Sequence, residues 1–231
     1  MNNLILVRHG QSQWNKERRF TGWADIDLTE QGKLEAKIAG ELINKLKIEF
    51  HVYFTSQLKR AINSLEIILK TLNKQNVKVT KALELNERHY GGLTSLNKDE
   101  IIKKYGEEQV QIWRRSFDTP PPPMDSQHPF KKRISSDIQG ESLKDTFERV
   151  IPYYEKKIKP FILTKKNILI VFHGNSCRSL LKKILNISEN KIVELEIPTG
   201  NPLLIKFKDN LKVENYKYLD EKRSKKIFFN C

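Results

Sequence analysis

The chain has 231 residues, 38% of them hydrophobic, with three Trp, seven Tyr and eleven Phe, which excludes a disordered polypeptide and suffices for one independent core. No window approaches about 18 consecutive apolar residues, no secretory leader pattern opens the chain, and two cysteines, Cys177 and Cys231, make neither a disulfide framework nor a zinc motif, so the sequence predicts a reduced, cytoplasmic protein with no membrane partner. The formal net charge of +14 is mostly lysine scattered along the chain, which reads as a solvated basic surface ahead of a nucleic-acid face, and a small anionic substrate fits either reading.

Apolar runs of strand length alternate with helical periodicity, so the expected fold class is α/β, a mainly parallel sheet with helices on both faces. Residues 4–7, LILV, form the first predicted strand. A polar loop leads to Thr29 as N-cap and to a helix whose Leu34, Ile38, Leu42 and Leu46 form the expected buried stripe. The next strand is HVYF at 51–54, followed by a helix burying Leu58, Leu65, Ile68 and Leu72, and a third strand is expected at VKV, 77–79. Residues 97–115 read as helical up to the four prolines at 120–123, and 124–140 as a surface loop. A helix over 143–160, a strand at 167–172, a helix through Leu180 to Leu185 and strands near 203–207 and 212–218 complete the chain. Nothing resembles an interdomain linker, which gives one domain over 1–220 and a basic tail over 221–231.

Two strand ends echo each other. LILVRHGQS at 4–12 and LIVFHGNS at 169–176 both run from an apolar strand into His-Gly and a small polar residue. Ligands of an open parallel sheet bind beyond the carboxyl ends of its strands, which would bring His9 and His173 into one crevice. The glycines allow close approach of backbone amides, Ser176 lies at a helix start, and Arg8, Arg60, Arg114 and Arg115 supply phosphate-binding guanidinia. A neutral imidazole keeps one ring nitrogen free to attack phosphorus near pH 7, so these residues together point to phosphoryl transfer through His9. Proton delivery to the leaving oxygen calls for a carboxyl group, and Glu87 in LNERHYGG is the candidate, although a Glu beside Arg88 also fits a surface ion pair. Asp25 and Asp27 read as part of a turn, and no metal is expected.

With these residues in hand the chain resembles the 2,3-bisphosphoglycerate-dependent phosphoglycerate mutases, a branch of the histidine phosphatase superfamily, from about residue 3 to 210. The carriers are LVRHGQSQWN at 6–15, RFTGWAD at 19–25, TSQLKRA at 55–61, LNERHYG at 85–91, LNK at 96–98, WRRS at 113–116, PPPP at 120–123, ESL at 141–143, HGNS at 173–176 and IPTG at 197–200. The resemblance implies a phosphoglycerate mutase-like fold and interconversion of 3-phosphoglycerate and 2-phosphoglycerate. His9 would carry the phosphoryl group, primed by 2,3-bisphosphoglycerate, in a metal-independent reaction. It implies further that Glu87 is the acid and base, and that Arg8, Arg60 and His173 hold the transferring group. Ser12, Asn15, Gly174 and Asn175 would contribute around the phosphoryl group, while Thr21, Gly22, Arg88, Tyr90, Lys98, Arg114 and Arg115 would bind the rest of the substrate. A homodimer or homotetramer is expected on the same ground.

Three departures from the family pattern stand out: Thr94-Ser95 in place of Gln-Gly, Cys177 in place of Leu, and Asn201 in place of an apolar residue after IPTG. The 124–140 stretch also looks shortened. Cys177 at a helix start allows a reactive thiol, with a buried small residue the preferred reading. The basic tail reads as solvated, with closure over an anionic substrate as the other possibility. Three alternatives remain: a phosphatase of the superfamily, a bisphosphoglycerate synthase or phosphatase using the same His9, and a non-catalytic basic nucleic-acid binder, which would leave the RHG, NERHY and HGNS motifs unexplained.

Overall fold

The computed structural model describes residues 2–132 and 137–224. Its centre is a six-stranded sheet of β1 (Asn2–Arg8), β2 (Val52–Thr55), β3 (Val79–Lys81), β4 (Ile168–Phe172), β5 (Leu203–Phe207) and β6 (Val213–Tyr218), in the order β3-β2-β4-β1-β5-β6. The first four are mutually parallel, whereas β5 runs antiparallel to β1 and β6 antiparallel to β5. Every residue of β4 is buried, as a strand covered on both faces requires.

Alternation along the strands divides the core into two layers. Leu4, Leu6, Ile168, Ile170, Phe172, Leu203 and Ile205 face one layer, and Ile5, Val7, Leu169, Val171 and Leu204 face the other. The first is closed by α6 (Leu143–Tyr153) and α8 (Gly174–Ile184), and the second by α2 (Glu30–Lys45) and α3 (Lys59–Thr71). The remaining helices are short α1 (Gln13–Lys16), α4 (Lys98–Tyr105), α5 (Glu107–Arg115), α7 (Lys159–Leu163) and α9 (Glu189–Ile192). No helix among the described residues is long and apolar enough to cross a membrane.

Several elements depart from the sequence reading. In α2 the buried face is Gly32, Glu35, Ala36, Ala39, Gly40 and Ile43, while Leu34 of the expected stripe is 49% exposed. Close approach of α2 to its neighbours selects small residues: a Cβ at Gly40 would lie 2.7 Å from Thr71 Cβ, and one at Gly32 2.1 Å from the Gln11 carbonyl oxygen. The third strand lies two residues later than VKV, and 97–115 is two helices broken at Gly106, whose φ of 82° ends α4. The helix expected over 143–160 passes through a π-helical turn at Tyr154–Ile158 between Pro152 and Pro160, where the missing proline N–H groups disturb the ladder. The polar loop after β1 holds α1, capped by a reciprocal box between Ser12 and Asn15. Thr29 caps α2 as expected, and Leu58, Leu65 and Ile68 are buried beside a partly buried Leu72. Of the basic tail, residues 225–231 lie outside the described residues, as do 133–136 of the loop at 124–140.

Candidate active site

β1 and β4 are neighbours in register, Arg8 opposite Phe172, so the chain leaves both at the same end of the sheet and delivers His9 and His173 side by side. Their ring centroids are 5.0 Å apart and both residues are buried. His9 Nδ1 lies 2.7 Å from the Gly10 carbonyl oxygen, which can only accept, so Nδ1 carries the proton and Nε2 keeps its lone pair. Arg60 Nε donates toward that Nε2 at 3.3 Å. Burial first, then the charges of Arg60 and Arg8, hold the His9 imidazole well below its ordinary pKa despite the Gly10 contact. The ring is therefore neutral at pH 7, with its free nitrogen facing a guanidinium.

Arg60 is itself fixed from two sides, donating Nη1 to the Ala24 carbonyl at 2.9 Å and Nη2 to Gly22 at 2.7 Å. His173 stands behind His9 with Nε2 2.7 Å from Ser56 Oγ, a hydroxyl that also accepts from the Leu58 N–H. His173 Nδ1 is buried and without a partner among the described residues. Burial followed by the charge of Arg60 keeps this ring neutral as well.

Glu87 enters from the segment after β3 and is buried, which overturns the surface ion pair reading. Burial alone would raise its carboxyl, but the Arg88 and Asn175 backbone N–H groups, at 2.8 and 3.1 Å from Oε1, and the charges of Arg60 and Arg8 outweigh it and hold the pKa below the ordinary carboxylate value. The N-terminus of α8 thus stabilises a carboxylate of the protein itself. The backbone carrying Glu87 is held in turn: Trp23 Nε1 donates to its carbonyl at 2.5 Å, and Arg149 donates to the carbonyls of Glu84, Asn86 and Glu87. Arg149 also forms a buried ion pair with Glu141 at 2.7 Å.

The cavity these groups border is lined by Arg8, His9, Asn15, Thr21, Gly22, Arg60, Glu87, Tyr90, Lys98, Arg114, Arg115, Gly174 and Asn175, all singled out in the sequence, and by Arg19 and Arg178. Seven of these are cationic against one carboxylate. Arg8 Nε, Arg115 Nη1 and Thr21 Oγ1 are buried polar atoms without partners among the described residues. Burial and the neighbouring Arg114 bring Lys98 down to about 8, opposed by Tyr90, and Arg88, Lys98 and Arg114 bring the buried Tyr90 hydroxyl down to about 8 against its desolvation.

Three singled-out residues do not line the cavity. Ser12 caps α1, His173 sits behind His9, and Arg88 donates Nη2 to the Trp113 and Arg114 carbonyls, holding the end of α5 that presents Arg114 and Arg115. Of the two residues missed, Arg19 lies in the RFTGWAD motif, and Arg178 is one helical turn beyond Gly174 on the same face of α8. Asp25 accepts from the Lys59 N–H at the start of α3 and Asp27 from Leu28 and Asn63, so this pair organises turns. Burial pushes the Cys177 thiol up to about 12, which leaves it an inert core residue.

A neutral histidine with its free nitrogen inside a ring of guanidinia defines a class of phosphoryl-transfer sites, and the chain belongs to the histidine phosphatase superfamily (branch 1), whose pattern it matches over residues 4–215. Within it the chain falls in the family of the 2,3-bisphosphoglycerate-dependent phosphoglycerate mutases. Relatives of that name from Hydrogenobaculum sp. (strain Y04AAS1) and Treponema denticola are each 48% identical, covering 98% and 94% of this chain and 96% and 92% of their own. Solved structures share the fold at lower identity. A mycobacterial glucosyl-3-phosphoglycerate phosphatase gives a TM-score of 0.71 at 20% identity, with 94% of this chain and 97% of that one covered. The alpha-ribazole phosphatase of Shigella flexneri gives 0.68 at 21%, with 89% and 91% covered.

Proposed function

We propose that this chain interconverts 3-phosphoglycerate and 2-phosphoglycerate through a phosphohistidine at His9, primed by 2,3-bisphosphoglycerate. The observation that carries the reading is the tautomer of His9, with Nε2 free and facing Arg60 in a cavity that holds Glu87 as the one carboxylate among seven cations. Nearly full-length identity to the mutases supports the choice of substrate.

In this reading the primer phosphorylates Nε2. Glu87, ionised at rest, takes the proton of the substrate hydroxyl as that oxygen attacks the phosphohistidine, and the P–N bond breaks as the new P–O bond forms. The bisphosphorylated product turns within the cavity. His9 then attacks its other phosphoryl group, and the protonated Glu87 returns its proton to the oxygen released. Arg8, Arg60 and His173 stabilise the transferring oxygens, and Lys98, Arg114 and Arg115 retain the carboxylate and distal phosphate. Arg19 and Arg178 join this set. Among the described residues no group of three or more His, Cys, Asp or Glu stands at metal-binding distance, and the mechanism assigns the charge stabilisation to guanidinia.

Turnover of 3-phosphoglycerate in EDTA, with and without catalytic 2,3-bisphosphoglycerate, tests this for wild type and His9→Ala while released phosphate is recorded. Isomerisation stimulated by the primer and lost in His9→Ala is expected. Dominant phosphate release would replace the mutase reading with a phosphatase one, and no turnover by folded protein would remove both.

A further inference from the structure

A second cavity shares a wall with the first and is bordered by Arg8, Arg115, Arg178, Arg223, Glu196 and residues 197–199. One contact repeats along it. Every second carbonyl from Leu195 to Thr199 accepts from a different arginine: Leu195 from Arg178 Nε at 2.6 Å, Ile197 from Arg8 Nη1 at 2.8 Å, and Thr199 from Arg223 Nη2. Guanidinia from α8, β1 and the 3-10 turn Glu221–Arg223 are thereby lined up on one edge. The fourth, Arg115, has Nη1 buried without a partner among the described residues and Nη2 3.7 Å from Glu196. Arg8 Nε is equally buried and has no partner among the described residues. Carboxylates are few here: Glu196, partly exposed, and Asp220, which lies 3.6 Å from Arg223 Nε outside the lining.

Arg223 is brought to this edge by a departure from the family pattern. Asn201 is buried and clamps Asp220 reciprocally, donating Nδ2 to the Asp220 carbonyl at 3.0 Å and accepting from its N–H at 3.1 Å. Asp220 in turn accepts from the Arg223 N–H at 3.3 Å, which caps the turn. An apolar residue at 201 could make neither bond.

We propose that this cavity is a second anion site, built to take a compact, doubly charged oxyanion, with inorganic phosphate as its ligand. A planar guanidinium held by one edge presents its remaining N–H groups to a tetrahedral oxyanion, and Arg178, which also donates Nη1 to Asn175 Oδ1 at 3.0 Å, is the most firmly fixed of the set. Because Arg8, Arg115 and Arg178 serve both cavities, an anion in the second draws on donors that the first needs. Occupancy of either then weakens the other by the same factor.

Equilibrium dialysis with radiolabelled inorganic phosphate tests the site on the full chain. Arg223→Met should bind one phosphate fewer per chain than wild type, or bind it about tenfold more weakly, the usual effect of losing a hydrogen bond to a charged group. Glu196→Gln, which removes a like charge from the rim, should tighten the same phosphate and gives a readout should the first variant not fold. Unchanged phosphate binding in both variants overturns the proposal. The measurement involves no turnover, so its failure leaves the reaction at His9 untouched, and failure of the turnover assay leaves this site untouched.

Discussion

His9 owes its unprotonated Nε2 to one backbone carbonyl, and Glu87 owes its depressed pKa to two backbone N–H groups and the charges of Arg60 and Arg8, so the proposed chemistry depends on how firmly those peptides are held. For Glu87 the holding residue is Arg149, which spans three carbonyls of the 84–87 segment, lies over the Trp23 ring at 5.7 Å and pairs with Glu141. Arg149→Met leaves the Glu141 carboxylate buried and unpaired, and should cost about 3–5 kcal/mol, read from urea unfolding of the variant against wild type. An effect under about 1 kcal/mol would mean that the pair adds little beyond an exposed one. Most of the site was legible at this scale because HG, NERHYG and WRRS place charged groups next to glycine or aromatic residues, a pattern the core has no use for. Arg149 and Arg178 were not, since each sits in an ordinary amphipathic helix and reaches backbone carbonyls that the sequence does not place beside it, Arg149 those of 84–87 and Arg178 that of Leu195. Ser95 is a similar case, with φ of 74° where glycine would be at ease, as the family pattern has it.

At the scale of the element, α2 shows how periodicity misleads. Leucine and isoleucine every four residues suggested the buried stripe, yet the helix turns its glycine and alanine face inward because β1's exit loop and α3 approach too closely for larger side chains. The two glycines differ in what opposes them. Gly32 meets the backbone of Gln11, which cannot give way without moving the loop that carries His9, whereas Gly40 meets the side chain of Thr71. Gly32→Ala should therefore lower kcat at least tenfold and destabilise by about 1–3 kcal/mol, while Gly40→Ala should lose stability alone. Equal loss of kcat in the two would show that the α2 contact does not position the loop. The strands were legible because buried parallel strands are short apolar runs, and the break at Gly106 was not, because the apolar period continues across it.

For the whole molecule, three buried histidines set the response to acid. His9 and His173 are held well below the pKa of 6.5 they have when unfolded, and His89, desolvated first of all, falls to about 4. Below pH 6.5 the unfolded chain binds more protons than the folded one, so stability falls as pH falls, by up to about 1.4 kcal/mol per pH unit for each histidine. The depressed Glu87 acts in the same direction as it titrates. A lower urea midpoint at pH 5.5 than at 7.5 is expected, and equal midpoints would mean that the histidines already carry charge in the folded protein. The order of the strands has a further consequence for biosynthesis. β1 is flanked by β4 and β5, both encoded more than 150 residues downstream, so β1 waits for its neighbours until that intervening stretch has been translated. During that interval His9 has been translated but has nothing to brace it. Catalytic competence therefore arrives late and all at once, and a truncated product that stops short of β4 should be inert toward phosphate esters.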